Sequence, residues 1–212
     1  MPAVRVRGSR VRGVRVLAAT GVLAGLLAGC GIRATQVPTD FGPAPSMVPC
    51  ELSVTDIATQ ATPSMPVEVF LLCSGALVRV NRSVEVAEGT DEATRRVVVA
   101  QGLLDALAED LSDVEDEAGY DTAVPSGLTV TGPRPGDPED ALRLSIAPDS
   151  LPKYALAQIV CTFADSAAAG DNGSVVLGSS TSAESLRRYE CAPETQSDPG
   201  AGNPPSTEVG RT

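Results

Sequence analysis

The spacing of apolar residues changes several times along the middle of the chain, and this pattern limits the folds that the chain can form. Apolar residues alternate with period two over 67–73 and, after a turn at Ser74-Gly75, over 77–86, which predicts a β-hairpin. A stripe with steps of three and four residues follows and predicts an amphipathic helix capped by Thr90 or Asp91. The stripe consists of Val97, Ala100, Leu104, Leu107 and Leu111.

The same change of spacing occurs again further along the chain. Apolar residues at 128–130 and 142–146 predict two strands, joined by a loop rich in Pro and Gly over 132–138. A second helix is expected to start at a cap formed by Asp149 or Ser150, and a short strand follows it. The predicted buried face of this helix consists of Leu156, Ile159, Val160 and Phe163. The order β-β-α-β-β-α-β predicts an α+β fold, with a mixed or antiparallel sheet of about five strands and two helices packed on it.

The first 30 residues have the three parts of a bacterial lipoprotein signal. A region with five arginines precedes an apolar stretch of about 13 residues over 16–28, which is too short to span a bilayer. Leu27-Ala28-Gly29-Cys30 then resembles a lipobox, in which the cysteine thiol accepts a diacylglyceryl group. The sequence therefore predicts a signal peptide over 1–29, lipidation of Cys30 and an anchor on the extracytoplasmic face of the cell membrane. The alternative is an ordinary signal peptide with a chance cysteine.

Four further cysteines follow, and an even number outside the cytoplasm is typical of structural disulfides. The candidates are Cys50, Cys73, Cys161 and Cys191. Four cysteines allow three pairings, which the sequence leaves open, although Cys50–Cys73 with Cys161–Cys191 closes the shortest loops and is favoured. No pair forms a C-x-x-C motif, so the spacing favours neither zinc binding nor thioredoxin-type chemistry. Each bridge is expected to stabilise the fold by about 2–4 kcal/mol.

Composition divides the chain after the signal peptide into three segments. Residues 30–65 are rich in Pro, Ser, Thr and Ala and are expected to form a lipidated, extended tether. Residues 66–192 carry the hydrophobic periodicity and form the predicted α+β domain. Residues 193–212 contain Pro, Gly, Ser and acidic residues and are expected to form a disordered tail.

The composition also excludes several classes of function. The chain has no histidine, which excludes Ser-His-Asp and Cys-His catalysis and every His-ligated metal site. Aromatic residues make up 3% of the chain, too few for an aromatic-lined sugar or base-stacking site. After residue 29 the chain has 11 basic and 27 acidic residues, a net charge of −16, the opposite sign from that of an unselective nucleic-acid binder. We expect no nucleic-acid partner and no cofactor.

Two motifs suggest catalysis or metal binding, and each has a simpler interpretation. Ser150-Leu151-Pro152-Lys153 matches the S-x-x-K motif of penicillin-recognising enzymes, but the partner motifs S-D-N and K-T-G are missing and Ser150 is expected to cap a helix. The carboxylates of 110–117 lack the ordered spacing of a calcium loop and are expected to form a solvated acidic loop, with a cation site as the alternative. The sequence therefore predicts no catalytic residue and no metal ligand.

Polar residues on the second helix and near the last cysteine are candidates for binding. Gln158 and Thr162 lie one turn apart, and Tyr154 lies one turn before Gln158, so the three could frame a groove. They are expected instead to tie the helix to neighbouring backbone groups. Arg187-Arg188-Tyr189 could grip a phosphate or carboxylate, but a surface patch beside a disulfide is the expected role. No binding residue is assigned.

The motifs of residues 66–180 together resemble the sporulation and spore germination (GerMN) domain of bacterial envelope lipoproteins. The segments that carry the resemblance are 67–72, 77–82, 103–107, 119–127 and 157–163. The resemblance implies an α+β domain linked to envelope complexes and cell-wall processes, and the family has no agreed catalytic residues to transfer. The leader and the high content of alanine and valine are typical of an actinobacterial source.

These features lead to one functional expectation and one alternative. The chain is expected to be a non-catalytic, lipid-anchored protein of the cell envelope whose domain is an interaction module with an envelope protein as its partner. The alternative is a transporter-associated lipoprotein that binds a small ligand or a peptidoglycan fragment. A domain of about 115 residues over 66–180 gives one lobe, whereas solute-binding lipoproteins usually close two lobes around a ligand.

Overall fold

Two β-sheets and four α-helices form the part of the chain that the computed structural model describes, residues 49–52, 64–85, 91–181 and 185–210. These residues belong to one compact unit, Pro45–Thr212. The strands are β1 Ser64–Cys73, β2 Ala76–Glu85, β3 Tyr120–Asp121, β4 Val130–Thr131, β5 Ala141–Leu144, β6 Ser174–Ser179, β7 Leu186–Glu190 and β8 Ser206–Val209. The helices are α1 Glu92–Ala108, α2 Asp113–Glu117, α3 Lys153–Ala164 and α4 Pro193–Ser197. The α+β class is confirmed, with two sheets in place of the single sheet expected and two more helices than expected.

The predicted hairpin is confirmed, and its turn explains its register. Ser74 and Gly75 both have positive φ, +51° and +83°, as the two central residues of a type I′ turn require. The two strands pair antiparallel along their whole length, from Cys73 opposite Ala76 to Ser64 opposite Glu85. With β3, they form a three-stranded sheet in the order β2-β1-β3.

Helix α1 begins where the sequence indicated and lies on the hairpin. The Asp91 carboxylate accepts a hydrogen bond from the Thr94 amide at 3.0 Å, which confirms Asp91 as the cap. The helix buries Val99, Ala100, Leu103, Leu104, Ala106 and Leu107. Of the predicted stripe, Val97 is half-buried and Leu111 lies beyond the end of the helix. Gly102 brings α1 close to β2, since a Cβ at this position would overlap the Val84 side chain.

The second sheet has the order β4-β5-β6-β7-β8. Strands β5 and β6 are parallel and α3 connects them, while the other neighbours are antiparallel. Helix α3 buries the predicted face, and Cys161 lies in a separate cluster with Phe70, Leu77 and Ala157.

The predicted cap of α3 by Asp149 or Ser150 is wrong. Both residues lie in a 3₁₀ turn, Pro148–Ser150, and α3 begins at Lys153 after Pro152 without a side-chain cap. Leu151, which precedes the proline, is extended with ψ 149°, as steric contact with a following proline ring favours. The two extended residues separate the turn from the helix.

The acidic segment 110–117 is only in part the solvated loop that was expected: four of its five carboxylates are exposed, but Glu115 is buried and residues 113–117 are helical. Its second half forms α2, where the Ser112 hydroxyl accepts a hydrogen bond from the Glu115 amide and the Glu115 carboxylate accepts one from the Ser112 amide. Glu115 is buried and pairs with Arg82 of β2, with 2.9 Å between Nη2 and Oε1. This ion pair replaces water around one carboxylate of the segment.

The predicted disordered tail over 193–212 is also wrong for residues 193–210. They form α4 and β8, and β8 pairs antiparallel with β7 from Ser206 opposite Tyr189 to Val209 opposite Leu186. A polar, Pro-rich composition indicates few apolar contacts, but backbone pairing with a neighbouring strand does not depend on them.

Both predicted disulfides are present in the favoured pairing. Cys50–Cys73 attaches residues 49–52 of the predicted tether to the end of β1, and Cys161–Cys191 joins α3 to the residue that follows β7. The signal peptide, Cys30 and the rest of the tether up to residue 63 lie outside the described residues. Within the described part, no helix is long and apolar enough to cross a membrane.

Candidate functional site

Two buried polar side chains of helix α3 bind the backbone of β1, on the side of the hairpin away from β2. Gln158 Nε2 donates to the Phe70 carbonyl at 3.0 Å, and Thr162 Oγ1 accepts from the Phe70 amide at 3.0 Å. Gln158 Oε1 also accepts from the Ala123 amide at 2.8 Å, which attaches the loop after β3. Both side chains are fully buried, so the expectation that they tie α3 to neighbouring backbone is confirmed for Gln158 and Thr162. It is wrong for Tyr154, which is exposed and makes no hydrogen bond within the described residues.

These bonds show which way the backbone of the hairpin points. In an antiparallel strand the amide and carbonyl of one residue point to the same side, and the side alternates along the chain. The amide and carbonyl of Phe70 both bind α3, so both point away from β2. The amide and carbonyl of Leu72, two residues further along, also point away from β2, and Leu72 pairs with β3 on that side. Arg79 lies opposite Phe70 in the ladder, so its amide and carbonyl point away from β1.

The outward groups of β2 therefore form a row along the outer edge of the three-stranded sheet. The residues with outward amide and carbonyl groups are Leu77, Arg79, Asn81, Ser83 and Glu85. Leu77 is buried in the cluster that Cys191 covers, whereas the other four are exposed. Among the described residues, no strand pairs with this side of β2 and no backbone hydrogen bond is made by the outward groups. We call the segment Arg79–Glu85 the open edge.

The basic side chains of the open edge are already paired. Arg79 Nε lies 3.0 Å from Asp165 Oδ2, and the guanidinium is 5.1 Å from the centroid of the Phe70 ring. Arg82 binds Glu109 at 2.8 Å and the buried Glu115 at 2.9 Å. The cations of β2 are thus neutralised by acidic residues of the domain itself.

An acidic surface lies next to the Arg82 ion pairs. It consists of exposed carboxylates on α2 and in the segment between α1 and α2, which we call the acidic shoulder. Its members are Asp110, Asp113, Asp116 and Glu117. No basic residue lies in the last turn of α1 or of α2 to offset the negative end of either helix. The shoulder therefore gives one side of the open edge a negative potential.

A second concave feature lies at one end of the five-stranded sheet, and we call it the β6–β8 cleft. It has a volume of about 220 Å³ and is lined by the ends of β6 and β8, the start of β7 and the turn after β5. Its charged residues are Asp149, Arg187 and Glu208. Arg187 is one of the residues predicted from the sequence to form a surface patch, whereas its cross-strand neighbour Glu208 falls in the segment that was expected to be disordered.

The loop beside β5 is held by a buried ion pair. Arg143 is fully buried and donates through Nε and Nη2 to the two carboxylate oxygens of Asp137, at 2.7 and 2.8 Å. Its Nη1 donates to the Ser179 carbonyl at 2.6 Å. The pKa of Arg143 is raised, because its charged form donates hydrogen bonds to the Asp137 carboxylate. The pair fixes the loop 132–138 against the outer face of the sheet.

The structure does not bring the remaining candidate residues together. Ser150 and Lys153 are both exposed, and no hydrogen bond joins them within the described part of the chain. Among the described residues, which include the acidic shoulder, no three or more Cys, Asp or Glu side chains are grouped so that they could hold a metal ion. Arg188 points to the opposite face from Arg187 and pairs with Asp140 at 3.1 Å.

The open edge could not be found from the sequence, because its signal depends on which strand is left at the border of the sheet. The hairpin was predicted, but the positions of α3 and β3 on one side of it were not. The resemblance to the GerMN domain concerns motifs and names no binding surface. Comparison of the chain with protein-family models, with curated proteins and with solved structures found no match.

Proposed function

We propose that the chain is a non-catalytic, lipid-anchored protein of the cell envelope, and that its domain is an interaction module. In this proposal, the open edge binds an extended segment of an envelope protein as an additional strand. The observation that carries it is the row of outward amide and carbonyl groups on β2 that have no hydrogen-bond partner among the described residues. An extended peptide that pairs with such a row gains a ladder of backbone hydrogen bonds.

The length and chemistry of the open edge support this mode of binding. Natural proteins protect long edge strands with proline, bulges or covering elements, since an unprotected edge pairs with other chains. Strand β2 has ten residues, no proline, and exposed polar side chains at Asn81 and Ser83. Such an edge is suited to pairing with another chain, because its exposed side chains are polar and its outward backbone groups have no strand partner among the described residues. Helix α4 contacts β2 near Arg79, so the part of the edge nearest Asn81 and Ser83 is the part that we propose for pairing.

Charge indicates the kind of partner. The described residues contain 23 acidic and nine basic residues, a net charge of −14. Two copies of this domain would repel each other, whereas a partner segment with Lys or Arg would be attracted to the acidic shoulder. We therefore propose a partner with a basic extended segment rather than a second copy of this chain.

The location in the envelope is supported by the sequence and by the covalent structure. Leu27-Ala28-Gly29-Cys30 resembles a lipobox, and the resemblance to the GerMN domain implies an envelope lipoprotein. The two disulfides are typical of a protein outside the cytoplasm. An anchored module of this kind would bring a partner close to the membrane.

The test uses a substitution that removes one outward amide. Asn81→Pro deletes a donor that β1 does not use, and proline is tolerated on an edge strand. Asn81→Ala is the matched control, because it removes the same side chain and keeps the amide. The full-length, C-terminally tagged chain is crosslinked in living cells, and the proteins that co-purify are quantified by mass spectrometry.

We expect one envelope protein to be recovered with the wild type and with Asn81→Ala, and to be strongly depleted with Asn81→Pro. Far-UV circular dichroism of the purified variants checks that the fold is kept. If Asn81→Pro does not fold, Asp110→Lys combined with Asp113→Lys serves as a second test, since it reverses charge on the acidic shoulder and leaves β2 intact. Equal recovery with the proline variant, or with the charge-reversed one, would contradict the proposal.

A further inference from the structure

The β6–β8 cleft lies where parallel strands of open sheets commonly place their ligands. Strands β5 and β6 run parallel, and their carboxyl ends, Leu144 and Ser179, lie at the same end of the sheet. Ligands of open sheets tend to bind outside these ends, where the connecting segments diverge. The cleft is lined there by Leu177 and Ser179 of β6 and by Asp149 of the turn that follows β5.

A cation and an anion face the cleft from neighbouring strands without binding each other. Arg187 and Glu208 are directly opposite in the β7–β8 ladder, so their side chains are on the same face. Arg187 Nε donates to Ser206 Oγ at 3.0 Å, and Ser206 lies two residues before Glu208 on β8. Among the described residues, Arg187 forms no ion pair within 4.0 Å, and its two terminal nitrogens donate no hydrogen bond.

The lining combines these charges with an apolar floor. Asp149 is exposed and also lines the cleft, so one guanidinium and two carboxylates line it together. The sum of one positive and two negative charges disfavours phosphate and dicarboxylates. It favours a ligand that presents a carboxylate to the guanidinium and a cationic group to Glu208 or Asp149. Leu177 and the buried Tyr189 line the floor, which suits a small aliphatic side chain.

We infer that the β6–β8 cleft binds a small α-amino acid in its zwitterionic form. Arg187 receives the carboxylate through its terminal nitrogens, and Glu208 with Asp149 receives the ammonium group. The cleft volume of about 220 Å³ is below that of pockets for drug-sized ligands and suits a ligand of this size. This binding site is independent of the open edge, which lies on the other sheet.

The experiment measures saturation-transfer NMR signals of small ligands with the full-length chain in detergent. L-alanine and D-alanine are the zwitterionic probes. Propionate lacks the ammonium group and alaninamide lacks the carboxylate. Inorganic phosphate, which has no carbon-bound protons, is used as a competitor that tests a purely anionic ligand. We expect saturation transfer to alanine, in one or both configurations, none to propionate or alaninamide, and no loss of the alanine signal when phosphate is added at equal concentration.

Variants of the two charged residues assign the site. Arg187→Gln is expected to weaken alanine binding about tenfold, the factor expected from one lost charge-assisted contact. Arg95→Gln is the matched control, because Arg95 is an exposed arginine on α1 that does not line the cleft. Glu208→Gln is expected to weaken alanine binding and to permit binding of propionate, since it removes the partner of the ammonium group and a charge that repels a carboxylate.

The possible results separate this inference from the proposed function. Asn81→Pro is expected to bind alanine as the wild type does, whatever its effect on partner recovery. If Arg187→Gln does not fold, Glu208→Gln still tests the site, because Glu208 lies on the exposed edge strand β8 and its substitution is expected to shift binding from alanine towards propionate. An absence of saturation transfer to alanine would overturn the inference. So would transfer that Arg187→Gln and Glu208→Gln leave unchanged, or loss of the alanine signal when phosphate is added at equal concentration.

Discussion

Gln158 offers the most direct test of how α3 supports the hairpin. The side chain is fully buried, and its amide bonds two backbone groups that belong to different elements, the Phe70 carbonyl and the Ala123 amide. Gln158→Leu keeps a similar volume but removes both partners at once. The Phe70 carbonyl would then be buried without a hydrogen bond, and the partly buried Ala123 amide would lose the one hydrogen bond that it makes among the described residues.

The magnitude follows from these two groups. The buried Phe70 carbonyl is expected to cost about 1–3 kcal/mol when it loses its partner, and the partly buried Ala123 amide about 0.5–1.5 kcal/mol, so Gln158→Leu should lower the free energy of unfolding by about 1.5–4.5 kcal/mol. A typical domain is stable by about 5–15 kcal/mol, so this one change would remove a large part of its stability. Urea unfolding with the disulfides intact, followed by far-UV circular dichroism, measures the difference.

Thr162 provides the internal control, because it bonds only the Phe70 amide. Thr162→Val leaves that amide unsatisfied and is expected to cost about 1–3 kcal/mol. Thr162→Ser keeps the hydroxyl and loses one methyl group, a cost of about 1 kcal/mol. A loss of less than about 1 kcal/mol in the free energy of unfolding for Gln158→Leu, or equal losses for the two Thr162 variants, would contradict the conclusion that these hydrogen bonds stabilise the packing of α3 on the hairpin.

Three further predictions concern a buried charge, a titration and the anchor. Asp137→Asn leaves the buried Arg143 without its counter-charge and is expected to cost about 3–5 kcal/mol in urea unfolding. Replacement of both residues by Leu and Met should cost less, and a double variant less stable than Asp137→Asn would contradict this. The pKa of Tyr120 is raised above 10.0 by burial and by the nearby carboxylates of Glu115 and Glu51, so absorbance titration should show a late-ionising tyrosine that Tyr120→Phe removes. The protonated Tyr120 phenol contributes its full stabilisation at pH values below the tyrosine pKa of the unfolded chain. This contribution is lost as the pH rises through the higher pKa of Tyr120 in the folded protein. Cys30→Ser should block acylation and leave precursor, and unchanged membrane fractionation would count against the lipobox.

The parts of the fold that the sequence predicted depend on neighbours along the chain. The hairpin needed only alternation and the Ser74-Gly75 turn, and α1 needed only its stripe and the Asp91 cap. Helix α2 carries a local signal as well, because Ser112 and Glu115 have the spacing of a capping box. That signal was available in the sequence and was missed because the segment is so acidic.

The parts that could not be predicted depend on contacts between distant residues. The burial of Glu115 requires Arg82, which lies on β2 and is 33 residues away in the chain. Strand β8 contains polar residues and acquires its structure by pairing with β7, whose two adjacent arginines favoured a surface patch. The same limit applies to both candidate sites, since the open edge and the β6–β8 cleft are defined by which strands become neighbours.

The arrangement of α3 also determines how a partner would bind under the proposed function. Because α3 and β3 occupy the inner side of β1, an added strand has to pair with β2, and the partner residue opposite Asn81 would exchange backbone hydrogen bonds with it. Partner side chains would alternate between two faces. Partner side chains next to Arg82 and Val84 would lie on the face of the sheet that α1 covers, near Glu109 and the acidic shoulder. Those level with Asn81 would face solvent. A partner segment suited to this edge should therefore carry Lys or Arg at every second position, and a scrambled segment of equal charge should bind more weakly.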